Sequence, residues 1–302
     1  MNEKDGKKQN KLFFIIKMLV LLVLLSIILA AAVGYFIDSE SGNTAMIYVD
    51  GPIVLSDPGA FSQSASAYDI VSFISQAAKD PQIKAIIISI NSPGGSPVGS
   101  DEIGRALKEA NKTTVAVIRE IGTSGGYWVA SAADHVIANR MSETGSIGVY
   151  GSYLAFPGLL ERYNITYEQV NAGQYKDMAS PFKELTPDER KVLEGLLNEI
   201  QDDFIQEVSA NRNMSESRVR EIATGIIFTG KTAKDLGLVD ELGGIEEAKK
   251  YITKELNITP EIREYKKEAS LVELLSGIVS RQSFSLGQGI ASVPVERGVA
   301  KV

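Results

Sequence analysis

The sequence predicts an α/β protein built on a parallel sheet, because strand-like and helix-like segments alternate along it. Residues 83–92 (IKAIIISINS) form a continuous β-branched run, as expected of a strand buried on both faces. Residues 98–110 show helical apolar spacing, and residues 113–120 (TTVAVIRE) form the next predicted strand. This order indicates βαβ units with helices on the faces of the sheet.

The neighbouring segments extend the same pattern in both directions. Residues 45–54 (AMIYVDGPIV) predict a strand that runs into a turn, and residues 67–80 have helical spacing. A short helix is predicted at 125–134 and another strand at 135–140. One α/β domain therefore accounts for most of the chain up to this point.

The later part of the chain is more helical, and one helix start is clearly signalled. Thr186 is a good N-cap, Pro187 suits the first helical position, and Glu189 completes a capping box. The apolar residues that follow recur at helical spacing and are expected to face the core. They are Val192, Leu196, Leu197, Ile200, Phe204, Ile205 and Val208.

The N-terminus carries a predicted membrane anchor. Residues 18–37 are apolar or small and uncharged, which is long enough to cross a bilayer. The lysine-rich residues 1–17 precede them, so the positive-inside rule places the N-terminus in the cytoplasm and the rest of the chain outside. A cleaved signal peptide is the alternative, since Ala30 to Ala32 are small, but its apolar core usually has only about 7 to 15 residues.

The remaining boundaries follow from composition. We expect a polar tether at 38–44, a single globular domain at 45–278 and a flexible tail at 279–302, where periodicity is lost. Residues 1–17 carry a net charge of +3 and the rest of the chain −10, so a nucleic-acid partner is not expected. The chain has no cysteine, which excludes disulfides, thiolate zinc sites and a cysteine nucleophile.

A P-loop pattern at residues 225–232 (GIIFTGKT) is predicted to be false. The motif needs small residues after a buried strand, so that backbone N–H groups can curl around a phosphate. Here Ile226, Ile227 and Phe228 would obstruct that curl, and the preceding segment predicts a helix. We therefore do not expect an ATPase.

Two glycine-rich turns follow predicted parallel strands, where open α/β sheets bind ligands. The first is SPGG at 92–95, and the second is TSGG around Ser124. The N–H groups of Gly94 and Gly125 could form an oxyanion hole for a carbonyl that Ser124 attacks. Either turn alone could equally be a tight turn that needs glycine for its backbone conformation.

Together, the two turns resemble those of the signal peptide peptidase A family, within the ClpP and crotonase superfamily. The resemblance extends from about residue 45 to 255 and includes TGSIGV at 144–149, GQYKD at 173–177 and FTGKTAKDLGLVDELGG at 228–244. It implies a ClpP/crotonase-like fold of repeated ββα and βαβ units. It also implies a serine endopeptidase that degrades remnant signal peptides and other apolar peptides, and it calls for no metal or organic cofactor.

The proton acceptor for Ser124 is then the open question. His135, the only histidine, begins the strand after the helix that Ser124 starts, which is too far for a base. The resemblance implies a Ser-Lys dyad with Lys176 as the base and Ser146 holding its amine. A lysine can act so only if burial populates its neutral form, so we expect the neighbouring Asp177 to face elsewhere.

The assembly of the dyad and two rival functions stay open at this level. Long members of the family carry two tandem domains that contribute serine and lysine from different copies, whereas this chain has one. We therefore expect a homo-oligomeric ring in which Ser124 of one subunit meets Lys176 of the next. The alternatives to a peptidase are a crotonase-like acyl-CoA enzyme and a non-catalytic membrane scaffold.

Overall fold

The computed structural model describes residues 13–14, 16–29, 42–56 and 64–267. Residues 16–29 form helix α1, and each of its side chains is exposed. Among the described residues, no helix is both long and apolar enough to cross a membrane. Residues 30–37 of the predicted anchor, most of the tether, and the predicted boundary between domain and tail lie outside the described ranges.

The rest of the described chain alternates strands and helices, as the sequence predicts. The strands are β1 (Thr44–Asp50), β2 (Ile53–Val54), β3 (Ala65–Ser66), β4 (Ala85–Ser92), β5 (Thr113–Thr123), β6 (His135–Ala138), β7 (Glu143–Gly145), β8 (Ile227–Thr229), β9 (Glu241–Leu242) and β10 (Ile262–Tyr265). The helices are α2 (Ala67–Lys79), α3 (Pro97–Glu109), α4 (Gly125–Ser131), α5 (Pro157–Arg162), α6 (Pro187–Arg212), α7 (Glu216–Ile222), α8 (Gly230–Asp235) and α9 (Ile245–Leu256).

The main sheet is parallel, which confirms the central prediction. Its strand order is β10-β1-β4-β5-β6-β9, and every pair along this path is parallel. β7 adds to the end of β5 in parallel and pairs with β8 in antiparallel fashion. The false P-loop pattern coincides with β8 and the six-residue helix α8, and the helix predicted before it is α7.

The two faces of the sheet are covered unequally. Alternate residues of β4 point to opposite sides, so Ile86, Ile88 and Ile90 join the larger core with α2, α3 and α4. Ala85 and Ile87 join a smaller core against α9. Helices α3 and α4 therefore lie on the same face of the sheet. Each of them directly follows one of the two glycine-rich turns.

Helix α6 begins as predicted but packs differently from the expectation. Thr186 and Glu189 form the capping box. Phe204, Ile205 and Val208 are buried, whereas Val192 and Leu196 in the first half are exposed. The predicted core-facing stripe is thus wrong for its N-terminal half, because no other described residues cover the side chains of Val192 and Leu196.

Candidate active site

Ser124 lies at the sharp turn between β5 and α4. Its backbone has φ 53° and ψ −124°, a strained conformation for a residue with a Cβ. Its N–H donates to the carbonyl of Gly145 at 2.8 Å, and its own carbonyl accepts from Tyr127 and Trp128 at 2.9 Å each. These bonds hold the serine at the tip of the turn, where its hydroxyl has no hydrogen-bond partner in the described part of the chain.

Helix α4 is fixed firmly beneath this serine. Tyr127 is fully buried, and its hydroxyl donates to the carbonyl of Leu238 at 2.9 Å. Burial raises the pKa of the Tyr127 phenol, so it stays a neutral donor. The first turn of α4 is therefore a rigid platform for Ser124.

The glycines around Ser124 allow two backbone segments to approach closely. A Cβ at Gly94, whose φ is +95°, would lie 2.6 Å from the amide nitrogen of Gly125. A Cβ at Gly125 would overlap the hydroxyl of Ser100, and one at Gly126 would lie 2.8 Å from the carbonyl oxygen of Ser92. Glycine is thus required here by close approach as well as by turn geometry.

The backbone amides near Ser124 differ in their availability. The N–H of Gly94 donates to Ser92 Oγ at 3.1 Å, so it can serve an oxyanion only by leaving or sharing that bond. The N–H groups of Gly95 and Gly125 have no acceptor among the described residues. The assignment of Gly94 and Gly125 to an oxyanion hole stays a prediction. The N–H of Gly95, which the sequence did not indicate, is an adjacent donor without an acceptor among the described residues.

An open groove of about 960 Å³ runs past Ser124. Its walls include Trp128 from α4 and Leu197, Ile200 and Phe204 from α6. The rings of Trp128 and Phe204 stack with centroids 4.7 Å apart. None of the described residues that line this groove is charged. The sequence did not predict that α6 lines this groove, because the apolar residues of α6 have the spacing of core-facing positions.

Ser146 lines the same groove as Ser124. Its φ is 50°, and its N–H donates to the carbonyl of Ile226 at 2.8 Å. Its hydroxyl donates to the carbonyl of Gly225 at 3.3 Å, a long bond that can be given up readily. The predicted lysine-orienting residue therefore lies in the groove with Ser124.

Lys176 is exposed and does not line this groove. It belongs to an arm, residues 149–186, which contains the short helix α5 and many exposed side chains. The amine of Lys176 has no hydrogen bond or ion pair within the described residues. The structure thus does not bring Ser124 and Lys176 together within one chain, and the dyad remains a prediction.

The carboxylate of Asp177 is engaged by another lysine. Lys183 Nζ lies 2.7 Å from Oδ2 of Asp177 and 2.6 Å from Oε1 of Glu189. Glu189 is almost fully buried at the start of α6. The Lys183 hydrogen bond, with a further bond from the Thr186 amide, lowers the pKa of Glu189 to about 2. The hydrogen bonds that Lys183 donates to both carboxylates raise its own pKa. This network fastens the arm to α6 and keeps Asp177 occupied.

His135 is placed far from Ser124. It pairs with Val115, eight residues before the end of β5, which corresponds to about 26 Å at 3.3 Å per residue. Its ring stacks on Tyr251 with centroids 4.0 Å apart, and its Nε2 lies 3.4 Å from Glu241. His135 is therefore a packed residue at the opposite end of the sheet.

Comparison with known proteins identifies the family. The model of peptidase family S49 matches residues 106–259. A protein of Methanocaldococcus jannaschii, named as a candidate protease, is 31% identical over 94% of this chain and 95% of its own length. A protein of Enterococcus faecium, named as a candidate signal peptide peptidase, is 31% identical over 84% of this chain and 74% of its own. The chloroplastic serine protease SPPA of Arabidopsis thaliana is 30% identical over 82% of this chain and 36% of its own. The chain belongs to peptidase family S49 and is a serine protease of the signal peptide peptidase A family.

Proposed function

We propose that this serine protease is a membrane-anchored endopeptidase with a Ser-Lys dyad, in which Ser124 of one subunit works with Lys176 of its neighbour. Its substrates are remnant signal peptides and other apolar peptides at the extracytoplasmic face of the membrane. The observation that carries the proposal is the strained turn that presents Ser124, whose hydroxyl has no partner among the described residues, in a groove with no charged residue in its described lining.

The reaction follows from the groups around this serine. Ser124 Oγ attacks the peptide carbonyl, and the neutral amine of Lys176 accepts its proton. The N–H of Gly125, with one from the turn at Gly94 and Gly95, stabilises the oxyanion. Lys176 then gives the proton to the leaving amine. Water, activated by the same amine, hydrolyses the acyl-enzyme and restores the serine.

Contribution of the lysine from a second subunit is supported by two features of the single chain. Neither Ser124 Oγ nor the amine of Lys176 has a partner within the described residues, and Lys176 lies on the exposed arm. Burial at a subunit interface also removes water from a lysine and favours its neutral form. The base would therefore become competent only on assembly.

Large apolar side chains are exposed in several regions of the described chain, and two of these regions suit a head-to-tail contact. One lies on the arm and the adjoining start of α6, and its members are Tyr150, Tyr153, Leu154, Leu159, Tyr163, Ile165, Tyr167, Val170, Tyr175, Val192 and Leu196. The other includes Leu55, Tyr68 and Val98, beside the groove residue Pro97. If the arm of one subunit covers the second patch of the next, Lys176 approaches the neighbour's groove.

The membrane anchor is supported by the sequence of residues 18–37 and by helix α1. The apolar side chains of α1 are exposed, and nothing in the described chain packs over them. An apolar helix without a protein partner fits a lipid environment. The tether that follows is short, so the peptidase domain would stay close to the bilayer in which apolar peptides are released.

Mixing two inactive variants tests the shared dyad. Ser124→Ala and Lys176→Ala proteins are co-assembled after dissociation, and cleavage of a fluorogenic apolar peptide is measured. In a head-to-tail ring assembled from a random equal mixture, about one quarter of the sites join an intact serine to an intact lysine, so about a quarter of wild-type activity should return. Verified co-assembly without rescue, or a fully active monomer, would contradict the proposal.

A further inference from the structure

The end of β5 that leads to Ser124 carries a bulge. Its pairing with β4 is regular up to Ile90 and Ile118, but the next pair joins Ser92 to Gly122. Strand β5 therefore advances four residues where β4 advances two. Bulges of this kind leave residues out of the ladder and often lie next to active sites, where they redirect a side chain. Because Ser124 follows Gly122 by two residues, its position depends on how the bulge is held.

Two buried hydroxyl groups on β7 and the residue before it contact this bulge. The hydroxyl of Ser142 lies within hydrogen-bonding distance of the carbonyls of Ile118, at 3.2 Å, and Arg119. Thr144 donates from Oγ1 to the carbonyl of Gly122 at 2.8 Å. Both hydroxyl-bearing residues are buried. The first and last residues of the bulge are thus each bonded by a side chain from this segment.

Thr144 is linked closely to the serine turn. It pairs with Gly122, and the next pair of the same ladder joins Thr123 to Gly145. The carbonyl of Gly145 then accepts the N–H of Ser124 at 2.8 Å. A change in the distance between the two strands at Thr144 therefore reaches Ser124 through one further residue on each strand.

The hydroxyl of Thr144 acts on the backbone and not on a substrate. Thr144 is fully buried and does not line the groove that runs past Ser124. Valine has nearly the same shape as threonine but lacks the hydroxyl group. Thr144→Val therefore removes this donor from the buried carbonyl of Gly122 with little change in volume.

We propose that Thr144 is a positioning residue, whose hydroxyl holds the bulged end of β5 so that Ser124 and the N–H of Gly125 stay aligned for attack. This inference rests on the proposed reaction of Ser124. A misplacement of about 1 Å in such groups lowers the rate of the chemical step about 10²-fold. The walls that bind the peptide lie on α4 and α6, so substrate binding should change much less than turnover.

The test compares Thr144→Val and Thr144→Ser with the wild-type protein in cleavage of a fluorogenic apolar peptide. In Thr144→Val, kcat should fall about ten- to hundredfold while KM changes by less than about twofold. Thr144→Ser keeps the hydroxyl, so its kcat should stay within about threefold of wild type.

Thr114→Val is the matched control for a general loss of stability. Thr114 is also buried on β5, ten residues before Ser124. Its hydroxyl donates to Oδ2 of Asp134 and accepts the N–H of Asp134, each at 2.9 Å. Its replacement therefore removes two buried hydrogen bonds, but at the opposite end of the strand. Thr114→Val should keep the wild-type kcat and KM.

Hydrogen exchange separates failure of this inference from failure of the peptidase proposal. The amides of residues 122–125 should exchange faster in Thr144→Val than in wild-type protein and Thr114→Val. That result supports the role of Thr144 in holding the turn even if the wild-type protein cleaves no peptide. A kcat near wild type in folded Thr144→Val, an equal loss in Thr114→Val, a Thr144→Ser variant as slow as Thr144→Val, or unchanged exchange at 122–125 would overturn the inference.

Discussion

Replacing Gly125 by alanine should disable the serine turn through a single side-chain contact. The new Cβ would overlap Ser100 Oγ and would also lie 3.3 Å from the amide nitrogen of Gly95 and 3.4 Å from Cα of Gly94. The overlap is relieved only if Ser100 Oγ turns away from its bond to the Ser96 carbonyl or if the backbone of residue 125 shifts by about 1 Å. Overpacking of this kind costs about 1–3 kcal/mol of folding stability.

The catalytic effect should be larger than the loss of stability. The residue that moves carries the N–H predicted to stabilise the oxyanion, and it follows Ser124 directly. A misplacement of about 1 Å in such a group lowers the rate about 10²-fold. We therefore expect Gly125→Ala to fold, with a lowered melting temperature and about 1% of wild-type kcat/KM.

A second substitution distinguishes this overlap from a general intolerance of alanine. Ser100→Ala removes the overlapping oxygen at the cost of its bond to the Ser96 carbonyl, 2.9 Å long and worth about 1 kcal/mol. Alone it should leave kcat/KM near wild type. Combined with Gly125→Ala, it should restore activity at least tenfold relative to the single variant. A fully active Gly125→Ala, or a double variant no better than Gly125→Ala, would refute the reasoning.

Three further predictions concern the anchor, the histidine and the arm. In intact cells, a tag at residue 2 should resist added protease while the folded domain is accessible, and digestion of the tag would reverse the proposed orientation. His135→Gln should leave the pH profile of kcat/KM unchanged, because His135 lies about 26 Å from the serine turn along β5. If kcat/KM no longer rose with pH in this variant, His135 would instead be the base. Because Lys183 lowers the pKa of Glu189 from 4.5 to about 2, the contribution of Glu189 to the arm is complete above pH 4.5 and is lost as the pH falls towards 2. Protection factors of amides in the arm, which correct for the intrinsic pH dependence of hydrogen exchange, should therefore fall over that range in wild-type protein but change little in Glu189→Gln, and equal pH responses would contradict the role of this network.

The parts of the fold that the sequence predicts are those with local signals. The β-branched run of β4, the capping box of α6 and the glycine turn at Ser124 each appear where expected. Their signals depend on residues within a few positions of one another. The order of the strands, and the placement of α6 beside α4, depend on contacts between distant segments.

The groove illustrates why its walls could not be predicted from the sequence. Trp128 and Phe204 are 76 positions apart, and only their stacking shows that they form one wall. Leu197 and Ile200 have the spacing of core residues in the sequence of α6, and only the fold shows that they line the groove.

The apolar stripe of α6 shows a more general limit of pattern reasoning. Periodicity reports that one face of a helix is apolar, but a core and a subunit interface bury apolar surface for the same reason. Phe204, Ile205 and Val208 are covered by their own chain, whereas Val192 and Leu196 continue the same stripe into solvent beside the arm that carries Lys176. We propose that a second protein surface covers the exposed part of this stripe. In the proposed ring, that surface belongs to the neighbouring subunit, so the contact that buries the first half of α6 would also bring Lys176 to the neighbour's Ser124.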